Sequence, residues 1–204
     1  MTPRQRALKR SLDVAASLAG LLVLLVPGVL IALVIRLSSP GPVFFVQMRV
    51  GRHGRPFRCV KFRTMRLGAD AAGPVTAAGD SRVTPVGRVL RRYKLDEWPQ
   101  IWNVLLGHMS LVGPRPDVPG YADRLEGDAR RLLELRPGIT CPATLYFRDE
   151  EALLAATADP QKYNDTVLWP KKVALNLAYL DHWSLWTDIR LILDTLLPRS
   201  RTSP

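Results

Sequence analysis

Val14-Ala15-Ala16-Ser17-Leu18-Ala19-Gly20-Leu21-Leu22-Val23-Leu24-Leu25-Val26-Pro27-Gly28-Val29-Leu30-Ile31-Ala32-Leu33-Val34-Ile35 is an unbroken run of 22 uncharged residues. A helix needs roughly 20 apolar residues to cross a bilayer, so the run is long enough. It is too long for a signal peptide, and Arg36 follows it rather than a small-residue cleavage site. Pro27 removes a backbone donor and crowds the preceding turn, and Gly28 adds a second weak point. Both flanks are basic, and basic flanks favour the cytoplasmic face. If both obey that rule, the segment enters and leaves on one face as a helix–break–helix hairpin bent at Pro27. A single kinked transmembrane helix is the plainer alternative, because proline is tolerated in such helices.

The charge supports a surface role for this end of the chain. The net charge is +11 over 204 residues. Residues 1–66 hold twelve basic side chains against Asp13 alone, and the remainder is neutral, with 17 of each sign. Nucleic acid, anionic lipid and phosphorylated small molecules each suit a basic patch. A patch beside an apolar run favours lipid headgroups. Cys59 and Cys141 have neither metal spacing nor a secreted-framework pattern, so both are expected as reduced core thiols. The length allows one domain with a real core plus the membrane element.

Outward from the apolar run, Ser38-Ser39-Pro40-Gly41-Pro42 stops the helix. Val43–Met48 and Pro56–Phe62 read as two strands joined by the turn Gly51–Arg55. Gly68–Gly79 is Ala/Gly-rich and reads as mobile. Thr84-Pro85 opens a basic helix. Helices are also expected over Glu97–Leu106, Pro119–Leu135 and Glu150–Thr157, and over 171–182 and 184–197. The last two suit ordinary core packing or interfacial helices with Trp183 and Trp186 at headgroup level. No internal repeat is present.

Three constellations carry chemistry. Asp96-Glu97 lies among Arg88, Arg91, Arg92 and Lys94. One reading makes Asp96 a helix cap and Glu97 a first-turn acid. The other starts from the cations, which keep a carboxylate ionised and nucleophilic, while magnesium is commonly held by one carboxylate plus phosphate oxygens and water. In Lys61-Phe62-Arg63, an extended backbone projects Lys61 and Arg63 together and Phe62 into the core; a solvated edge is the alternative. In Pro114-Arg115-Pro116, two prolines fix the backbone around a guanidinium suited to bidentate phosphate binding, unless the arginine merely sits on an incidental loop.

The order and spacing of a larger set resemble the bacterial sugar transferase family. The set is Lys61-Phe62-Arg63-Thr64-Met65, Leu95-Asp96-Glu97, Asn103-Val104-Leu105, Met109-Ser110-Leu111-Val112-Gly113-Pro114-Arg115-Pro116 and Arg136-Pro137-Gly138-Ile139-Thr140. The likeness runs from Lys9-Arg10-Ser11-Leu12-Asp13 to about Leu196. These are monotopic phosphoglycosyltransferases, which load the first phosphosugar onto undecaprenyl phosphate in glycoconjugate, exopolysaccharide, O-antigen or capsule synthesis. The resemblance implies an α+β fold, mainly helical, with a small β-hairpin and amphipathic interfacial helices. Residues 1–37 would form the re-entrant membrane hairpin. Residues 38–204 would form a catalytic domain on the cytoplasmic face of the bacterial inner membrane. Asp96 would attack the β-phosphate of a UDP-sugar, releasing UMP and leaving a phosphosugar-aspartate. Polyprenyl phosphate would then take the phosphosugar to give polyprenyl-diphosphate-sugar. Glu97 would hold Mg²⁺ against the diphosphate, and Lys61, Arg63, Arg91, Arg115 and Arg136 would neutralise phosphates. The expected partners are the UDP-sugar, the polyprenyl phosphate and an anionic phospholipid membrane, with no nucleic acid; a homodimer is left open.

The chain departs from the family pattern in three places. Gly107-His108-Met109-Ser110 replaces the commoner Gly-Asp-Met-Ser, leaving that acid's role vacant or taken by His108. Cys141-Pro142 replaces Gly-Trp after Ile139-Thr140. Val26 replaces the serine that often precedes the membrane proline, removing a hydroxyl that would support the bend. Two other classes compete. A membrane-tethered nucleic-acid binder explains the charge, but the chain has no helix-turn-helix, zinc or aromatic-interleaved pattern. A catalytically silent scaffold does not explain an intact Asp96-Glu97 pair.

Overall fold

A computed structural model describes residues 1–69 and 80–197. The mobility expected for Gly68–Gly79 falls mostly on residues 70–79, outside the described residues. Where two helices and a break were expected, there is one helix. α1 runs Pro3–Ser38 with Pro27 inside it. A proline takes one donor from a helix and bends it without ending it when the turns on either side are long. Thr2 starts α1 with a capping box, accepting from the Gln5 backbone N–H while the Gln5 side chain accepts from the Thr2 N–H.

The 36 residues of α1 make it about 54 Å long, and it is long and apolar enough to cross a membrane. Leu22, Val23, Leu25, Val26, Val29, Leu30 and Leu33 are exposed in its middle. Its two ends, by contrast, are docked on the rest of the chain. Near the start, Lys9 donates to Asp188 Oδ2 at 2.5 Å, and Arg10 donates to the Val104 and Leu105 carbonyls at 2.6 and 2.7 Å. Asp13 Oδ1 accepts from Ser110 Oγ and the Leu111 N–H. Near the finish, Ile35 is buried with Phe62 and Leu90.

The hairpin matches expectation. β1 (Phe44–Val50) and β2 (Pro56–Phe62) pair antiparallel, with Phe44 opposite Phe62 and Val50 opposite Pro56. Period-2 alternation sends Phe57 and Cys59 into one core cluster with Val104 and Met109, and Phe62 to the other face against α1. α2 (Pro85–Arg92) starts at Thr84, whose hydroxyl accepts from the Gly87 N–H. α2 packs so tightly that a Cβ on Gly87 would stand 2.0 Å from the Thr64 carbonyl oxygen.

The helix expected over Glu97–Leu106 is a 3₁₀ turn, Leu95–Glu97, followed by α3, Gln100–Leu105. β3 (Ser110–Val112) and β4 (Gly138–Thr140) form a short parallel ladder, which the sequence did not announce. Between them, Pro119–Leu135 holds two 3₁₀ segments, Ala122–Arg124 and Gly127–Glu134, in place of the expected α-helix. Gly120 and Gly127 take positive φ there, which breaks any longer helix.

α4 (Pro142–Tyr146), α5 (Glu150–Ala155), α6 (Pro160–Tyr163), α7 (Trp169–Asp181) and α8 (Leu185–Leu196) complete the chain. α7 buries Tyr179 and Leu180 against Val112 and Leu135. α8 buries Asp188 but leaves Trp186, Leu193 and Leu196 exposed. Core packing therefore accounts for α7, and α8 carries the outward apolar side chains expected of an interfacial helix. The described architecture is α+β and mainly helical, and both cysteines are free and buried.

Candidate active site

The site is built by three short turns. The first is the αL residue Lys94, whose φ of 56° reverses the chain after α2. It starts the 3₁₀ turn that buries two consecutive acids, Asp96 at 8% exposure and Glu97 at 7%. The second is the end of β2, which brings Lys61 to Glu97 Oε1 at 3.1 Å. The third is the loop after β3. Here Arg115 grips Glu97 with both terminal nitrogens, Nη1 to Oε2 at 3.3 Å and Nη2 to Oε1.

The loop carrying Arg115 is pinned on both sides. Arg49 donates to the Pro116 carbonyl at 3.0 Å, and the Val50 N–H donates to the Asp117 carbonyl at 2.9 Å. Gly138 N–H donates to the Pro114 carbonyl at 2.8 Å. Gly113 must be glycine, because a Cβ would meet the Arg136 carbonyl oxygen at 2.3 Å. Asn103 fixes β2 in turn. Its side chain accepts from the Val60 N–H and donates to the Arg58 carbonyl, standing in for a neighbouring strand. It therefore sets where Lys61 points.

The two acids are not equivalent. Burial would raise the Glu97 carboxyl, but Arg115 and Lys61 outweigh it and hold the group well below the usual carboxylate range. Arg115 is raised in return, by Glu97. Asp96 has no such partner. Burial, then the neighbouring Glu97 charge, pushes its carboxyl up, against the weaker pull of Lys61, Arg115 and Lys94. Its Oδ1 is buried without a hydrogen-bond partner among the described residues. The expectation that the surrounding cations lower the Asp96 carboxyl is thus corrected in direction, because burial and the Glu97 charge outweigh cations that sit on Glu97. The capping reading fails as well. α3 begins at Gln100 with Pro99 in the cap position, and Asp96 lies inside the preceding turn with no capping bond.

Of the predicted phosphate ligands, Lys61 and Arg115 reach the acids. Arg63 does not. It is buried, and it donates to the Pro40 and Ser39 carbonyls and to Ser39 Oγ, tying down the turn after α1. β2 ends at Phe62, so the period-2 argument stops one residue short of Arg63. Arg91 lies half-buried in the last turn of α2, within electrostatic reach of Asp80. Arg136 donates its Nε–H to the Gly107 carbonyl and lines a separate cavity. His108 tilts against Phe57 and makes no polar contact with the acids. Cys141 caps α4, its sulfur accepting from the Thr144 N–H.

Sequence reasoning missed Asn103, Arg49 and Asp117. Burial pushes the Asp117 carboxyl up to about 7 against the pull of Lys172, Arg49 and Arg115. Asn103 was legible only as one residue of a recurring set. Nothing in its neighbourhood announced that its amide would extend a sheet edge.

The site thus pairs a buried acid whose Oδ1 has no partner among the described residues with a second acid clamped by two cations. Residues 4–200 match the model of the bacterial sugar transferase family. The chain belongs to that family. It is 41% identical over 195 residues to the UDP-glucose:undecaprenyl-phosphate glucose-1-phosphate transferase of Caulobacter vibrioides, covering 92% of this chain and 68% of that protein. An Escherichia coli K12 protein of the same name is 40% identical, over 94% of this chain and 40% of its own length. The exopolysaccharide production protein PSS of Rhizobium leguminosarum is 37% identical, over 93% of this chain and 94% of its own length. The chain therefore spans less than half of the E. coli relative and nearly all of the Rhizobium one. This family membership is the resemblance read from the motifs.

Proposed function

We propose that this transferase moves a sugar phosphate from a UDP-sugar to undecaprenyl phosphate, through a covalent intermediate on Asp96. The observation that carries the reading is the asymmetric pair, with Glu97 clamped by Lys61 and Arg115 while the neighbouring Asp96 Oδ1 is buried and unpartnered. A side chain held this way keeps a lone pair for a reacting atom. In the first step an Asp96 oxygen bonds to the β-phosphorus of the UDP-sugar, the bridging P–O bond breaks and UMP leaves. In the second, a phosphate oxygen of the polyprenyl acceptor bonds to the same phosphorus, and Asp96 returns as a carboxylate. Asp96 must be ionised to attack, so its raised proton affinity sets an acid limit on the rate. Lys61 and Arg115 are preorganised to offset the charge that builds on the phosphoryl oxygens.

Magnesium is the proposed cofactor. Glu97 stays ionised and its Oε2 has one long contact, and Asp96 Oδ1 beside it has none. No cluster of three metal-ligating side chains exists among the described residues. That fits an ion that keeps several waters and binds through one or two carboxylates plus substrate phosphates. When bound, it neutralises the donor diphosphate.

The same reading puts the catalytic domain on the cytoplasmic face of the inner membrane, where UDP-sugars are made. Both ends of α1 dock on one unit while its apolar middle is exposed, which supports entry and exit on a single face. The reaction is tested by UMP release from a panel of UDP-sugars with undecaprenyl phosphate and magnesium. Loss of release in Asp96→Asn, with donor binding kept, is expected; near-normal turnover in that variant would refute the covalent route.

A further inference from the structure

Arg136 was expected among the catalytic phosphate ligands, and its placement elsewhere needs an explanation. It lines a small cavity at the start of α1, with Arg6 and Arg52 on the wall and Glu134 and Asp13 as the acids present. Each arginine spends little of its hydrogen-bonding capacity. Arg52 donates Nε–H to the Glu134 carbonyl at 2.8 Å, and Arg136 donates Nε–H to the Gly107 carbonyl at 2.8 Å. The terminal nitrogens of both have no hydrogen-bond partner among the described residues.

The acids do not balance them. Asp13 is committed to Ser110 and the Leu111 N–H, and among the described residues the Glu134 carboxylate meets only Arg6, at 3.7 Å. Besides burial, Arg52 and Arg10 act on Arg136 as like charges and lower its proton affinity. Converging guanidinium groups with free N–H forks repel one another unless an anion bridges them, and a phosphate's oxygens match that fork geometry.

We propose that this cavity is a second anion site, separate from Asp96-Glu97, which binds the phosphate of a mono- or diester through Arg52 and Arg136 with help from Arg6. It shares no side chain with the acid pair, and it does not depend on the proposed reaction. Its position suits a lipid source. Asp13 on its wall immediately precedes the apolar run that begins at Val14, so a headgroup phosphate beside α1 lies at this level.

The test uses the full chain, in neutral detergent and in nanodiscs. With inorganic phosphate at tenfold excess over its dissociation constant, the melting temperature should rise by about 4 °C. The rise should vanish in Arg52→Gln and Arg136→Gln and persist in Lys61→Gln, which disables the catalytic cluster instead. Arg6→Gln disturbs only an exposed side chain and its long ion pair, so it guards against misfolding of the other two; it should weaken phosphate binding several-fold. In mixed phosphatidylglycerol–phosphatidylcholine nanodiscs, native mass spectrometry should find phosphatidylglycerol retained by the wild type and lost from Arg52→Gln. Phosphatidylglycerol retention without an inorganic-phosphate shift supports a lipid-fed site, and a phosphate shift without lipid retention supports a soluble ligand. A wild type that answers to neither, or a shift that survives in both Arg52→Gln and Arg136→Gln, overturns the proposal.

Discussion

Replacing Arg115 by Gln should cost far more stability than replacing Glu97 by Gln, although the two changes break the same ion pair. Glu97 is 7% exposed and cannot reach water once its guanidinium partner is gone. Removing one partner of a fully buried pair costs about 3–5 kcal/mol. Arg115 keeps 38% of its side chain exposed, and Lys61 still holds Oε1 at 3.1 Å, so screening reduces the expected loss to about 2 kcal/mol. Glu97→Gln leaves two cations that both reach solvent, and the new amide oxygen still accepts, so about 0.5 kcal/mol is expected. For a chain of 204 residues these translate to about 6 °C and about 2 °C in melting temperature. The assay is thermal unfolding of both single variants and the double variant in one nanodisc preparation. The double variant should melt above Arg115→Gln alone, because it no longer buries an unpaired charge. A Glu97→Gln loss equal to or above that of Arg115→Gln would show that the arginine does not sustain the buried charge.

Three further outcomes follow from the same geometry. Asp96 and Asp117 bind protons more tightly folded than unfolded, so the stability they lend is full at acid pH and is lost as pH rises, for Asp117 as pH passes about 7. Glu97 has the opposite sign but acts only below its ordinary value of 4.5. Wild type should therefore melt higher at pH 5.5 than at pH 7.5 through Asp117, and Asp96→Asn should be the more stable protein at pH 7.5, with an advantage that shrinks as pH falls. Lys9→Met strands Asp188, which is 0% exposed, and should cost about 3 kcal/mol; Tyr179 and Trp183 still donate to Asp188, and adding Asp188→Asn should recover most of the loss in thermal melts. Arg63→Met removes three bonds to the Ser39-Pro40 turn, so amide exchange there should accelerate while the Michaelis constant for the UDP-sugar stays within about threefold.

Elements that depend on local pattern were the legible part of this chain. The hairpin followed from two β-rich runs around Gly51–Arg55, and α2 from Thr84-Pro85, because caps and alternation act over neighbouring residues. The β3–β4 ladder was not legible, since three-residue strands carry no period and are made by Gly113 and Gly138 backbones pressing together across the chain. In Pro119–Leu135, helical spacing of apolar residues misled because Gly120 and Gly127 break the backbone between them. At the site, Asp96, Glu97, Lys61 and Arg115 could be named from their motifs. Which acid holds the cations could not, because the αL turn at Lys94 and the pinned Arg115 loop decide it in three dimensions. Arg63 illustrates the same limit, for its direction is set by a strand that ends one residue earlier.

The central claim is a phosphosugar carried on Asp96, and intact-protein mass spectrometry reads it directly. Protein mixed with a turned-over UDP-sugar and magnesium, without the polyprenyl acceptor, and acid-quenched within the first turnover should gain the mass of one phosphosugar, mapped to the peptide holding Asp96. The adduct should be absent in Asp96→Asn and should discharge when undecaprenyl phosphate is added. UMP release that proceeds with no adduct in wild type, or an adduct that persists in Asp96→Asn, would contradict the account.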